Sequence, residues 1–226
     1  MIELKGSQGA ISIEITNNDT LIIKNAKAPI VNGQSRQGRG ICNWLGAPIG
    51  RLVHGLYFCR YVTNVGKSTS VQLSTFGGKK LVHFYLPEHR QIVINLEFLV
   101  AFTFGTKIHT FGNFSIPAFA CDRNILSLFE GPGHIVLETS GNHINHSKGD
   151  VSFEPQSLVA WDPLLEFKLD HVNGASDLYG NPTRMFCSFD SGEHDLIIDN
   201  GVEHHQVPGL VGYLKKAISW VIPTIG

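Results

Sequence analysis

Apolar and polar residues alternate at period two in run after run of this chain. Ala10-Ile11-Ser12-Ile13-Glu14-Ile15 sets the pattern, and Val71-Gln72-Leu73, Leu81-Val82-His83-Phe84-Tyr85, Ile135-Val136-Leu137 and Glu166-Phe167-Lys168-Leu169 repeat it. Successive side chains of an extended backbone point to opposite sides, so each run offers one face to a core and one to water. The runs are short and are separated by residues that turn easily: Asn17-Asn18-Asp19, Gly77-Gly78, Gly131-Pro132-Gly133, Gly141-Asn142, Asn173-Gly174 and Asn200-Gly201. The segment from Asn43 to Leu56, with Gly46, Pro48, Gly50 and Gly55, breaks the rhythm and reads as an irregular loop. Strands joined by tight connections are expected throughout, with no internal helix longer than a turn or two.

One pattern occurs three times. Leu21-x-Ile23 followed by Ala28-Pro29-Ile30, Ile92-x-Ile94 followed by Leu99-Val100-Ala101-Phe102, and Val151-x-Phe153 followed by Leu158-Val159-Ala160-Trp161 share one spacing. The x positions are expected to face away from the core, and the four intervening residues to form a corner into a second strand. Each copy alone is too small to bury much, so the three should pack on one another. The expected architecture is all-β: a unit over 1–206 made of three pseudo-repeats (about 1–64, 65–121 and 122–206) of a short double-stranded β-helix or β-sandwich, then a C-terminal tail over 207–226.

The run Leu128-Phe129-Glu130-Gly131-Pro132-Gly133-His134-Ile135-Val136-Leu137-Glu138-Thr139-Ser140-Gly141, with Phe153-Glu154-Pro155-Gln156-Ser157-Leu158-Val159-Ala160-Trp161-Asp162, resembles the altered-inheritance-of-mitochondria family, also called the mitochondrial-biogenesis family, which is classed with the tryptophan-attenuation-protein-like fold. The family's Asp and Gly before Leu-Val-Ala are replaced here by Glu154 and by Gln156-Ser157, and the likeness is best over about residues 65 to 170. The resemblance implies three pseudo-repeats and three chains assembled into a ring. It implies structural or membrane-organising roles, with no catalytic motif and no cofactor to carry over.

Charge narrows the function classes. Lys and Arg number 18 against 19 acidic residues, and charged residues make up only 16% of the 226. No stretch gathers basic residues as a nucleic-acid groove does, so binding to DNA or RNA is not expected. A weakly charged surface favours self-association, since little like-charge repulsion keeps copies apart. Cys42, Cys59, Cys121 and Cys187 form no Cys-x-x-Cys and sit in apolar or aromatic runs, which reads as buried reduced thiols. The N-terminus carries no signal-like apolar run, and no window reaches the roughly 18 apolar residues of a spanning helix, so a cytoplasmic location is expected.

Eleven histidines raise the question of metal. His143 and His146 lie in a turn-prone run, and on a strand their spacing would send them to opposite faces, so only a loop could aim both at one ion. His204 and His205 after Glu203, with Glu193-His194-Asp195 nearby, admit a mixed site. Cupin-like barrels hold metal through His-x-His on a strand, and this chain has none. Solvated loop histidines and no metal are therefore expected. Gly66-Lys67-Ser68-Thr69 has the letters of a phosphate loop, but Tyr61 stands where its first glycine is needed, and no Gly-x-Ser-x-Gly occurs.

The tail stands apart from the β pattern. Between Pro208 and Pro223, Leu210, Leu214, Ala217, Ile218 and Val221 fall on one helical face, with Lys215, Lys216 and Ser219 elsewhere. A helix of this length spans only about 20 Å, short of a bilayer core. Leu210, Tyr213, Leu214, Ile218, Trp220 and Val221 are the expected contact residues, toward a subunit or, with Tyr213 and Trp220 at the interface, toward a membrane surface. The function expected from all this is a non-enzymatic, ring-forming β scaffold, a homo-oligomer and most simply a trimer. The alternatives are a cupin-like enzyme or small-ligand binder, and an RNA-binding ring.

Overall fold

The computed structural model describes residues 5–16, 19–24, 29–40, 59–75, 77–112, 125–146, 149–169, 185–189 and 194–201. These residues form the strands β1 (Lys5–Gln8), β2 (Ala10–Thr16), β3 (Thr20–Ile23), β4 (Ile30–Gly40), β5 (Cys59–Ser74), β6 (Lys80–Leu86), β7 (Gln91–Ile94), β8 (Leu99–Thr103) and β9 (Lys107–Gly112). They continue with β10 (Ile125–Glu130), β11 (Gly133–Thr139), β12 (His143–His146), β13 (Gly149–Phe153), β14 (Leu158–Trp161), β15 (Phe167–Leu169), β16 (Met185–Phe189) and β17 (Leu196–Asp199). A single 3-10 turn at Pro155–Ser157 is the one helical element among the described residues. The fold class is all-β. Residues 43 to 56, 173 to 174 and 207 to 226, including the expected C-terminal helix, lie outside the described residues.

Eight strands make the first sheet, in the order β1-β6-β11-β8-β3-β5-β2, with β4 also on β5. The length of β5 lets it pair with β3 along its first half and β2 along its second, while β4 runs down its other side. Only Gly9 separates β1 from β2, yet the two pair at opposite ends of the order, β1 on β6 and β2 on β5. The sheet must therefore curl until its ends approach, and it becomes a nearly closed barrel. Its interior collects Ile13, Leu21, Val62, Leu81, Ala101 and Val136, one residue from each of six strands. Between β5 and β6, Gly77 and Gly78 take φ of 67° and 77°, left-handed values that side chains with a Cβ resist.

A six-stranded sheet, β12-β17-β14-β7-β10-β9, stacks on the barrel's outer face. Ile22, Phe84, Phe102 and Ile135 from the barrel meet Ile92, Ile94, Phe129 and Ile197 from this sheet, with the Phe102 and Phe129 rings edge to face at 5.9 Å. On its far side, Val93, Leu158, Trp161, Leu196 and Ile198 form a third core with Phe153 and Phe167 of the small sheet β13-β16-β15.

The stacking changes one expectation about the repeated pattern. Ile22 and Val93, the x positions of the first two copies, are buried rather than turned to water, because both faces of β3 and of β7 abut a core. Ser152 in the third copy does face solvent. The corner after β7 carries the chain from the six-stranded sheet into the barrel, and the corner after β13 carries it from the small sheet into the six-stranded one. In the first copy both strands stay in the barrel, each on β5.

Candidate functional site

The tail residues Leu210, Tyr213, Leu214, Ile218, Trp220 and Val221 lie outside the described residues, as do Glu193, Glu203, His204 and His205. What the structure does place is a set of polar clusters at strand ends.

His143 and His146 are not in a turn. They begin and end β12, whose four residues pair with Leu196–Asp199, so hydrogen bonding to a buried strand overrides the turn-prone composition of the run. The side chain of His146 lies outside the described residues. Burial holds the His143 imidazole below its usual range and the Lys80 ammonium adds to this, while the Asp199 carboxylate opposes both. His143 Nδ1 and Asn145 Oδ1 are buried side-chain atoms of β12 without a hydrogen-bond partner.

Of the expected mixed His and carboxylate site only His194 and Asp195 are described, and they lie in a cluster built around an arginine. The Arg90 guanidinium, just before β7, sits 3.2 Å from Asp162 Oδ2 beyond β14 and 3.2 Å from Asp195 Oδ2 before β17. The two carboxylates are 6% and 1% exposed, so their charges need this counterion. His194 Nδ1 approaches Asp162 Oδ2 at 3.4 Å. Asp162 also accepts from the Leu164 N–H at 2.9 Å, and its own N–H donates to the Asp195 carbonyl at 2.8 Å. Arg90 thus clamps the ends of three neighbouring strands. A third buried carboxylate, Asp199, accepts from the Ser140 N–H at 2.6 Å, from the Ser140 hydroxyl, and from the Gly201 N–H at 3.1 Å, tying β17 to the end of β11.

The third cluster was invisible to motif reading. His83 on β6 and His134 on β11 meet with Nε2 and Nδ1 3.0 Å apart, and the Tyr85 ring lies 5.0 Å from that of His134. The His134 N–H donates to Thr103 Oγ1 at 2.9 Å. Strand alternation puts Leu81, His83 and Tyr85 on one face, but the register that delivers His134 to them is not written in either segment. Among the described residues no group of three or more His, Cys, Asp or Glu could hold a metal ion. Cys59 is buried in the core between barrel and sheet.

The sheet margins are the remaining feature. β9 and β12 form the two edges of the six-stranded sheet, each with one hydrogen-bonded neighbour among the described residues. Phe111 on β9 and Ile144 on β12 are exposed there, at 43% and 39%.

Fold and clusters together define a stacked all-β barrel whose buried charges join strand ends. No family model matches this sequence, and no curated protein matches it. The chain is similar to protein SPYM3_0169 from Streptococcus pyogenes, known from an X-ray crystal structure, with a TM-score of 0.59 over 97% of this chain and 99% of that one. At 14% identity the likeness is one of fold. No helix among the described residues is long and apolar enough to cross a membrane.

Proposed function

We propose that this protein is a non-enzymatic β scaffold that works by assembling copies of itself into a ring, most simply of three chains. The observation that carries the reading is the pair of margins, β9 and β12, at opposite ends of one sheet, each with one hydrogen-bonded neighbour among the described residues. An edge strand presents unpaired N–H and C=O groups that template another strand. Joining β9 of one copy to β12 of the next is a head-to-tail contact, and such contacts close into rings when the rotation permits. The near-neutral chain, with 18 basic and 19 acidic residues, adds little repulsion between copies. The resemblance to the mitochondrial-biogenesis family supplies the number three.

The tail completes the proposal as a contact element. Its apolar stripe of Leu210, Leu214, Ile218 and Val221 requires cover by protein or by lipid. Light scattering at micromolar concentration tests the ring: three times the chain mass is expected, and a monomer would overturn it. Deleting residues 207–226 then separates the covers. A weakened oligomer with no vesicle binding in either form points to a subunit contact, whereas loss of sedimentation with anionic vesicles at unchanged mass points to lipid.

A further inference from the structure

We propose that His83 and His134 form a binding site for a divalent transition metal ion of the zinc and copper class. The two residues are 51 positions apart in sequence and become neighbours only through the pairing of β6 with β11. In that register His83 stands opposite Val136 and His134 opposite Tyr85, so the imidazoles are diagonal neighbours on one face of the sheet. Leu81 and Val136 on the same face belong to the barrel core, and the histidine pair continues that face beyond it toward the rim.

The geometry suits a shared ion. Nε2 of His83 and Nδ1 of His134 face each other at 3.0 Å, so one donates to the other and both rings cannot be doubly protonated while the bond stands. Two tetrahedral bonds of about 2.0–2.1 Å to zinc would set the nitrogens about 3.4 Å apart. The required opening is a few tenths of an ångström, within reach of small side-chain rotations. On binding, the ion displaces the hydrogen shared between the two rings, and both nitrogens present their lone pairs to it. Imidazole ligands select zinc, copper or nickel over magnesium and calcium, which take oxygen.

The surroundings favour an exchangeable ion over a structural one. Two imidazoles are fewer than the four protein ligands of a structural zinc site. The Tyr85 ring, 47% exposed, borders His134 on the side open to solvent. The Thr103 hydroxyl fixes the backbone of His134, and the core beneath closes through apolar contacts that owe nothing to a metal.

The test uses the full chain with zinc alone or copper alone. Excess zinc should raise Tm by several degrees, since an ion that binds only the native state stabilises it. His83→Gln and His134→Gln should each abolish the rise, while His143→Gln keeps it. An equal rise in all three variants, or none in the wild type, would overturn the site. Should either glutamine variant fail to fold, substoichiometric copper on the wild type decides through paramagnetic broadening of amide signals. Broadening centred on residues 82–86 and 133–136 supports the site, and broadening centred elsewhere refutes it.

Discussion

The inside of the barrel and the rim of the six-stranded sheet hold their strands by different means. Inside the barrel Ile11, Ile13, Ile15, Leu21, Val71 and Leu73 form one apolar cluster, and such burial is non-directional and tolerant of small changes in shape. At the rim, Arg90 joins Asp162 and Asp195 across sequence separations of 72 and 105 residues. There the contacts are directional, and each carboxylate is nearly out of water. Strands that arrive from distant parts of the chain meet at the rim, and a charged clamp specifies which ends belong together where apolar contact alone would accept a slip. Barrel stability should therefore degrade gradually under mutation, and rim stability abruptly.

The largest effect should come from Arg90→Ala, which leaves two buried carboxylates without their counterion and should cost about 3–5 kcal/mol in urea unfolding. Replacing the whole cluster, Arg90→Met with Asp162→Asn and Asp195→Asn, should recover most of that loss, because no unpaired charge remains. Ile13→Val in the barrel, a change of one methylene, should cost only about 0.5–1.5 kcal/mol. If Arg90→Ala proved as mild as Ile13→Val, the contrast between the two regions would collapse.

A smaller effect is expected from pH at the margin of the sheet. His143 is held below its unfolded pKa of 6.5, chiefly by burial. Below pH 6.5 the unfolded chain takes up this proton more readily than the folded one, so stability falls as pH drops through that value toward the folded pKa. His143→Gln should flatten part of this slope in unfolding curves recorded from pH 7.5 to 5, and an unchanged slope would remove His143 from the account.

Much of the barrel was legible in the residues. The alternation in Ala10 to Ile15 became β2 with Ile11, Ile13 and Ile15 inward, and Gly77-Gly78 became the β5–β6 turn. The double-sided burial of Ile22 and Val93 was not legible, because an x between two apolar residues cannot reveal that a second layer will cover it. The candidate sites were hidden for a related reason. His83 with His134, and Arg90 with Asp162 and Asp195, depend on long-range strand register, which local spacing does not encode. A run of turn formers likewise misdescribed β12, since pairing with the fully apolar Leu196-Ile197-Ile198 decided its conformation.

On the proposed reading, copies of this chain join through the margins of the six-stranded sheet. A lysine on an edge strand blocks further pairing while leaving a solvated fold intact. The decisive measurement is the mass by light scattering of the wild type beside Ile144→Lys on β12 and Phe111→Lys on β9, with unfolding curves to show that each variant remains folded. Three chain masses for the wild type and one for each folded variant is the predicted result. A wild-type oligomer that both folded variants retain would contradict it.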